Sequence, residues 1–236
     1  EFMRRTGIPV SAIVNTAEIY EYLKTKPDVS QKDLERLATY ERIYGTDELK
    51  EVLSVHGSLE QWVIERERSV IVACDVAMLE QFEALVKQTA DIDGIGGYKI
   101  GFELALDYGL KKVVETARKY THKPLIYDHQ KAGTDIPDTG KNFARVCKNA
   151  GVDAIILFPQ AGPETERAWL YHALDAGLKV IVGGPMTHPA YKESEGGFLS
   201  DEGVFKMVRI AAQAGINNYV APATKLDDFK RMAEII

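Results

Sequence analysis

Three short stretches share one pattern: "AGVDAII" at 150–156, "AGLKVIV" at 176–182 and "AGINNYV" at 214–220. In each, an apolar helical period runs into Ala-Gly and is followed at once by a β-branched run. Glycine suits the left-handed residue that ends a helix before a tight return to a sheet, so Gly151, Gly177 and Gly215 mark helix-to-strand junctions. Working outward, the segments "SVIVACDV", "GYKIG", "PLIYDH", "DAIILFPQ", "LKVIVGG" and "NNYVAPAT" read as six strands from Ser69 onward. Between them, Leu110, Val113, Val114 and Ala117 fall at i, i+3, i+4 and i+7, as do Phe143, Val146, Cys147 and Ala150, and Val204, Met207, Val208 and Ala211. Each set predicts one apolar helix stripe. Strands alternating with helices imply right-handed crossovers and a parallel sheet, closed as a barrel or open and doubly wound. The first strand is followed by "ACDVAMLEQF", with no glycine-rich dinucleotide fingerprint, and that favours a TIM-type (β/α)8 barrel of which six βα units are visible.

The chain has 236 residues, 45% hydrophobic and 27% charged, enough for one large domain or two small ones. The division expected from the change of character near residue 65 is an N-terminal, mostly helical extension at 1–64 and the βα barrel at 65–236. Glu1-Phe2 ahead of Met3 reads as a cloning remnant. No apolar run of about eighteen residues and no basic-then-apolar leader is present, so neither a membrane span nor a signal peptide is expected, and the cytoplasm is the default location. Cys74 and Cys147 sit among apolar neighbours, as buried free thiols do. A net charge of −6, with basic residues scattered, argues against broad nucleic-acid binding. No histidine pair has metal-ligand spacing, so no built-in metal site is expected.

Barrel chemistry sits at the C-terminal ends of strands and in the loops after them. There the chain places Asp75, Lys99, Asp128, Lys131 and Asp135. Any one of these alone reads as a solvated loop charge. Lys99, however, lies inside a strand, between Tyr98 and Ile100, and its burial would require a carboxylate partner; Asp128 on the next strand is the natural one. His129 reads as a strand-end hydrogen bonder and His188, before Pro189, as structural. "EGGFLSDEG", Glu195 to Gly203, reads as a mobile loop leading into a helix capped by Ser200.

"DHQKAGTDIPDT", with "YKIG" before it, "ACDV" on the first strand and "GGPMTHPAY" after the fifth, resembles orotidine 5'-phosphate decarboxylase. That family is a barrel enzyme that converts orotidine monophosphate to uridine monophosphate and carbon dioxide without a cofactor. The resemblance implies that Lys99 bonds the ribose and pairs with Asp128, that Asp128 faces the substrate carboxylate, and that Lys131 protonates C6. It implies that Asp135, beside Ile136 and Thr139, reaches a partner's ribose site in a homodimer with a shared active site. It also gives Asp75 a ribose hydroxyl and Thr187 the pyrimidine.

The spacing Asp-x-x-Lys-x-x-x-Asp is one residue longer in each interval than the family pattern. Convergence of Asp128 and Lys131 therefore requires a bulge or an early strand end, which Gly133 could permit. The phosphate-holding turns after the family's strands seven and eight have no counterpart among the six strands here. Residues 7–23 and 29–45, "GIPVSAIVNTAEIYEYL" and "VSQKDLERLATYERIYG", resemble the end of orotate phosphoribosyltransferase, which would imply a fused two-enzyme protein. A helical extension packed on the barrel is the alternative. Two other functions stay open: a related magnesium-dependent sugar-phosphate enzyme of the keto-gulonate phosphate decarboxylase or hexulose phosphate synthase type, and an inactive barrel serving as a scaffold or binding module.

Overall fold

The computed structural model describes Leu34 and residues 62–64, 66–129 and 132–236; the expected extension at 1–64 lies almost wholly outside them, as does Lys131. The compact unit formed by Gln61–Ala212 with Ile216–Ile236 holds the elements below apart from the single residue Gln213. They run β1 (Val70–Cys74), α1 (Leu79–Thr89), β2 (Ile95–Gly101), α2 (Phe102–Tyr108), α3 (Leu110–Arg118), β3 (Leu125–Asp128), α4 (Thr139–Ala150), β4 (Ala154–Leu157), α5 (Pro163–Asp175), β5 (Lys179–Gly183), α6 (Asp201–Gln213), β6 (Tyr219–Val220) and α7 (Leu226–Ile235).

The six strands form one sheet in the order β1-β2-β3-β4-β5-β6, each pairing in parallel with its neighbours in the chain. Sequential order without reversal belongs to a curled barrel wall; a doubly wound sheet would switch direction from a central strand. The three expected junction glycines have positive φ, 87° at Gly151, 71° at Gly177 and 80° at Gly215. Those turns let each chain reversal occur without the Cβ penalty of a left-handed residue.

Alternation along the strands separates two cores. Ile126, Ala154, Ile156, Phe158 and Ile181 pack together on the inner face, joined by Val63 near the N-terminal strand ends. Tyr98, Ile100, Leu125, Ile155, Leu157, Val180 and Val182 are buried between them in sequence, on the face that meets the helices. Burial on both faces explains why these strands read as continuous apolar runs. Below the inner cluster, the Val63 amide donates to Asn218 Oδ1 (3.1 Å), Lys179 Nζ donates to the Trp62 carbonyl, and Arg66 pairs with Asp93.

Two helix stripes are buried largely as expected: Val113, Val114 and Ala117 on α3, where the fourth member, Leu110, is half-buried, and Val204, Met207, Val208 and Ala211 on α6. The stripe on α4 is displaced. Gly140, Ala144, Cys147 and Ala150 face the core, while Val146 is 51% exposed. The reason is Trp169 of α5, which lies so close to α4 that a Cβ at Gly140 would stand 2.7 Å from its ring. Only a small residue fits at that point; Phe143 instead packs its ring beside the Trp169 ring, centroids 5.1 Å apart, and Val146 is turned outward. Cys74 and Cys147 are free and buried, and burial pushes both thiols up to about 12.

Candidate active site

Lys99 projects inward from β2, because its neighbours Tyr98 and Ile100 fill the helix-facing side, where Tyr98 Oη meets Thr89 Oγ1 of α1 at 2.9 Å. The register sets Lys99 beside Ala73 on one flank and Ile126 on the other. One step nearer the strand ends, Gly101 stands opposite Asp128. The Lys99 ammonium lies 3.0 Å from Asp128 Oδ2 and 3.3 Å from Asp75 Oδ1. Gly101 leaves the space for Asp75, since a Cβ there would come within 2.9 Å of its Oδ1. Burial works to lower the Lys99 pKa, but the hydrogen bond and charge of Asp128, with the charge of Asp75, outweigh it and raise the value. Lys99 is therefore held cationic. The Asp128 side chain is 6% exposed and that of Asp75 62%, so the array grades from the interior to the mouth of the barrel.

Strand β3 stops at Asp128, and a turn closes immediately, the Ala132 amide donating to the His129 carbonyl (2.6 Å). Gly133 has φ +87° with Pro159 packed against it. The strand thus ends early, one of the two devices expected for the lengthened spacing; Lys131 is outside the described residues. His129 takes the expected strand-end role, its Nδ1 lying 2.8 Å from Tyr127 Oη. Burial first, then Cys147 and Asp128, push the Tyr127 hydroxyl up to about 12, so it stays protonated.

Asp135, Ile136 and Thr139 form a second group. Asp135 Oδ1 accepts from the Ile136 amide (2.7 Å), its carbonyl accepts from Thr165 Oγ1 (2.9 Å), and the Ile136 carbonyl accepts from Thr139 Oγ1 (2.8 Å) and Trp169 Nε1 (3.0 Å). The backbone is thereby pinned to α5 while the Asp135 carboxylate stays exposed. Among the described residues Asp135 makes no ion pair. A cavity of about 540 Å³ opens beside it, lined by His129, Thr139, Phe143 and Trp169 among others. Thr187 is exposed in the stretch after β5, and among the described residues no hydrogen bond fixes its hydroxyl.

That stretch is tied down where the sequence predicts a mobile loop. Lys192 Nζ bonds Asp228 Oδ1 (2.7 Å) of α7, Lys225 bonds Glu195 (2.7 Å), and the Glu193 amide donates to the Leu199 carbonyl (2.7 Å). The cap expected at Ser200 is present, its Oγ accepting from the Gly203 amide (3.1 Å). Sequence reasoning missed the Lys192–Asp228 tie, whose partners lie far apart in the chain. It also missed Glu166, buried on α5; the signal was a charge heading the helical stripe Trp169, Leu170 and Ala173.

Residues 68–236 match the orotidine 5'-phosphate decarboxylase / HUMPS family. The chain belongs to this family. Among curated relatives, the orotidine 5'-phosphate decarboxylase of Methanosarcina mazei is 31% identical over 175 residues, covering 73% of each chain. The crystal structure of orotidine 5'-monophosphate decarboxylase from Methanocaldococcus jannaschii superimposes with a TM-score of 0.62 at 26% identity, over 71% of this chain and 77% of that one. The same enzyme complexed with the inhibitor BMP gives a TM-score of 0.61 at 26% identity, over 71% and 73% of the respective chains. The family match begins at the residue before the first strand segment and takes in all six strands.

Proposed function

We propose that this family member is a cofactor-independent carboxy-lyase that decarboxylates orotidine 5'-phosphate to uridine 5'-phosphate in pyrimidine biosynthesis, with a site built on Lys99, Asp128, Lys131 and Asp135. The observation that supports it best is the ammonium of Lys99 fixed between Asp128 and Asp75 at the strand ends. Decarboxylation breaks the bond between C6 and the carboxylate and leaves the electron pair on C6, where the pyrimidine offers no electron sink. A site that stabilises that charge needs cations oriented beforehand, because dipoles or charges that must reorganise during the reaction contribute less. In this reading Lys131 lies nearest the departing carboxylate and gives its proton to C6 as carbon dioxide leaves. Asp128 keeps the lysines charged and repels the substrate carboxylate more than the carbanion, while Asp75 and Lys99 hold the ribose and Thr187 contacts the base.

The same reading makes the protein a homodimer. Asp135 has an exposed carboxylate on a pinned backbone, beside the exposed apolar side chains of Ile136 (60%) and Val146 (51%). That is what a group presented to a twin subunit across a two-fold axis requires. Residues 1–64 are read as an appended segment, of a fused phosphoribosyltransferase or simply packed on the barrel.

The test is Lys131→Ala. Turnover of orotidine 5'-phosphate is expected to fall to background while binding of uridine 5'-phosphate remains measurable, because the residue acts on the reacting carbon. A variant keeping about a tenth of wild-type turnover, about 1.4 kcal/mol of barrel-site stabilisation, would refute the assignment. Turnover in the presence of a chelator separates this reaction from the magnesium-dependent sugar-phosphate chemistry.

A further inference from the structure

Beyond β5 the chain makes a short exposed bow, Thr187 to Ala190, between two buried ends. Gly184 and Pro185 are buried directly after the strand, and Tyr191 and Lys192 are buried on the far side. A bow of this kind takes its position from its two anchorages. The sheet supplies the first. The second is built from contacts between residues distant in the chain. The Tyr191 hydroxyl donates to the Gly184 carbonyl (3.3 Å) and accepts from Gln160 Nε2 (3.0 Å) in the loop after β4. Lys192 Nζ bonds both carboxylate oxygens of Asp228, at 2.7 and 2.9 Å, in the first turn of α7.

The backbone between bow and anchorage is strained. Ala190 has φ +57°, a left-handed conformation that a residue with a Cβ adopts at a cost and keeps only where its surroundings impose it. Gly197 folds back onto this point: its amide donates to the Lys192 carbonyl (2.8 Å), and a Cβ there would stand 2.4 Å from the Ala190 carbonyl oxygen. Around the Lys192 ammonium stand Asp228 and, at 3.8 Å each, Glu195 and Asp201. Burial works to lower the Lys192 pKa, but Asp228, then Glu195 and Asp201, outweigh it and raise the value, so the ammonium stays charged. An enclosed ion pair adds little net stability compared with apolar packing of the same volume. What it does supply is one defined arrangement of the two segments that it joins.

We propose that Lys192 is a positioning residue for the decarboxylation, its pair with Asp228 fixing the far end of the bow and thereby setting Thr187 at the barrel mouth before substrate arrives. This role rests on the reading of the site given above, in which Thr187 contacts the base. A bow ordered in advance spares the substrate the cost of ordering it. That cost, once restored, falls equally on the bound substrate and the transition state, so its signature is a raised KM with kcat unchanged.

Steady-state turnover of orotidine 5'-phosphate by the whole protein tests it, with Lys192→Met and Asp228→Asn each made in the wild type and in a Thr187→Ala background. Each variant alone should raise KM at least about tenfold and leave kcat within about twofold. In the Thr187→Ala background the same changes should have almost no further effect, because the residue they position is gone. Losses of equal size in both backgrounds, or a fall in kcat at unchanged KM, would overturn the positioning role while the decarboxylase reading stands. A wild-type protein without turnover would refute that reading, and this role with it. Amide exchange of the wild-type protein decides the matter even if both variants fail to fold. The Glu193 and Gly197 amides, bonded to the Leu199 and Lys192 carbonyls, should already exchange slowly without ligand. Protection that appears only on adding uridine 5'-phosphate would mean that the segment is not held beforehand, and would overturn the proposal.

Discussion

Glu166→Gln is expected to change how stability depends on pH. Burial raises the Glu166 carboxyl from 4.5 to about 8, with Arg167 opposing the shift only in part. In the unfolded chain the group ionises near its ordinary value, so between those two limits the folded state binds one more proton than the unfolded state. By linkage the Glu166 contribution to stability is fully present below about pH 4.5 and is lost as the pH rises towards 8. At 1.36 kcal/mol for each unit, the loss is on the order of 5 kcal/mol, a large share of a typical domain's stability. Glutamine has the same shape and no such titration. Urea unfolding of both proteins at pH 5, 7 and 9 should give two curves that separate steadily, Glu166→Gln gaining relative to wild type by several kcal/mol between the extremes. Contributions from every other titrating group cancel in the difference, which isolates this one carboxyl. Parallel curves would refute the reasoning and mean that Glu166 is solvated or paired when the protein is in solution.

Mixing inactive Asp135→Ala with inactive Lys131→Ala should restore part of the turnover through heterodimers that carry one intact shared site; no recovery after demonstrated subunit exchange would count against Asp135 serving a partner. Gly183→Ala should destabilise the barrel, because its Cβ would fall 2.0 Å from Phe158 Cε1 at the top of the inner core, with a cost of about 1–3 kcal/mol read as a lowered urea midpoint. Pairing it with Phe158→Leu should recover part of that loss, and additive losses would show that the ring is not what the methyl meets.

The six strands, their parallel order and the junction glycines were legible in the sequence because they rest on local rules: strand runs of β-branched residues, helices of 3.6 period, and a left-handed residue between them. The inward direction of Lys99 was half legible, since alternation fixes that it opposes Tyr98 and Ile100 but not which face is the barrel interior. Packing of Tyr98 against Thr89 settled that. Contacts between residues distant in the chain decided the rest. Trp169 turned α4 so that Gly140 and Ala144 face inward and Val146 outward, an outcome no hydrophobic period within α4 contains. Lys192 found Asp228, and thereby fixed a loop whose composition suggests freedom. Glu166 shows the difference most sharply: by sequence it is one more charge on an amphipathic helix, and only the elements packed around α5 deprive it of water and, among the described residues, of hydrogen-bond partners. Periodicity is a property of one segment, whereas burial and pairing are properties of two segments brought together, so the sequence by itself determined which elements form and tertiary structure decided what each side chain meets.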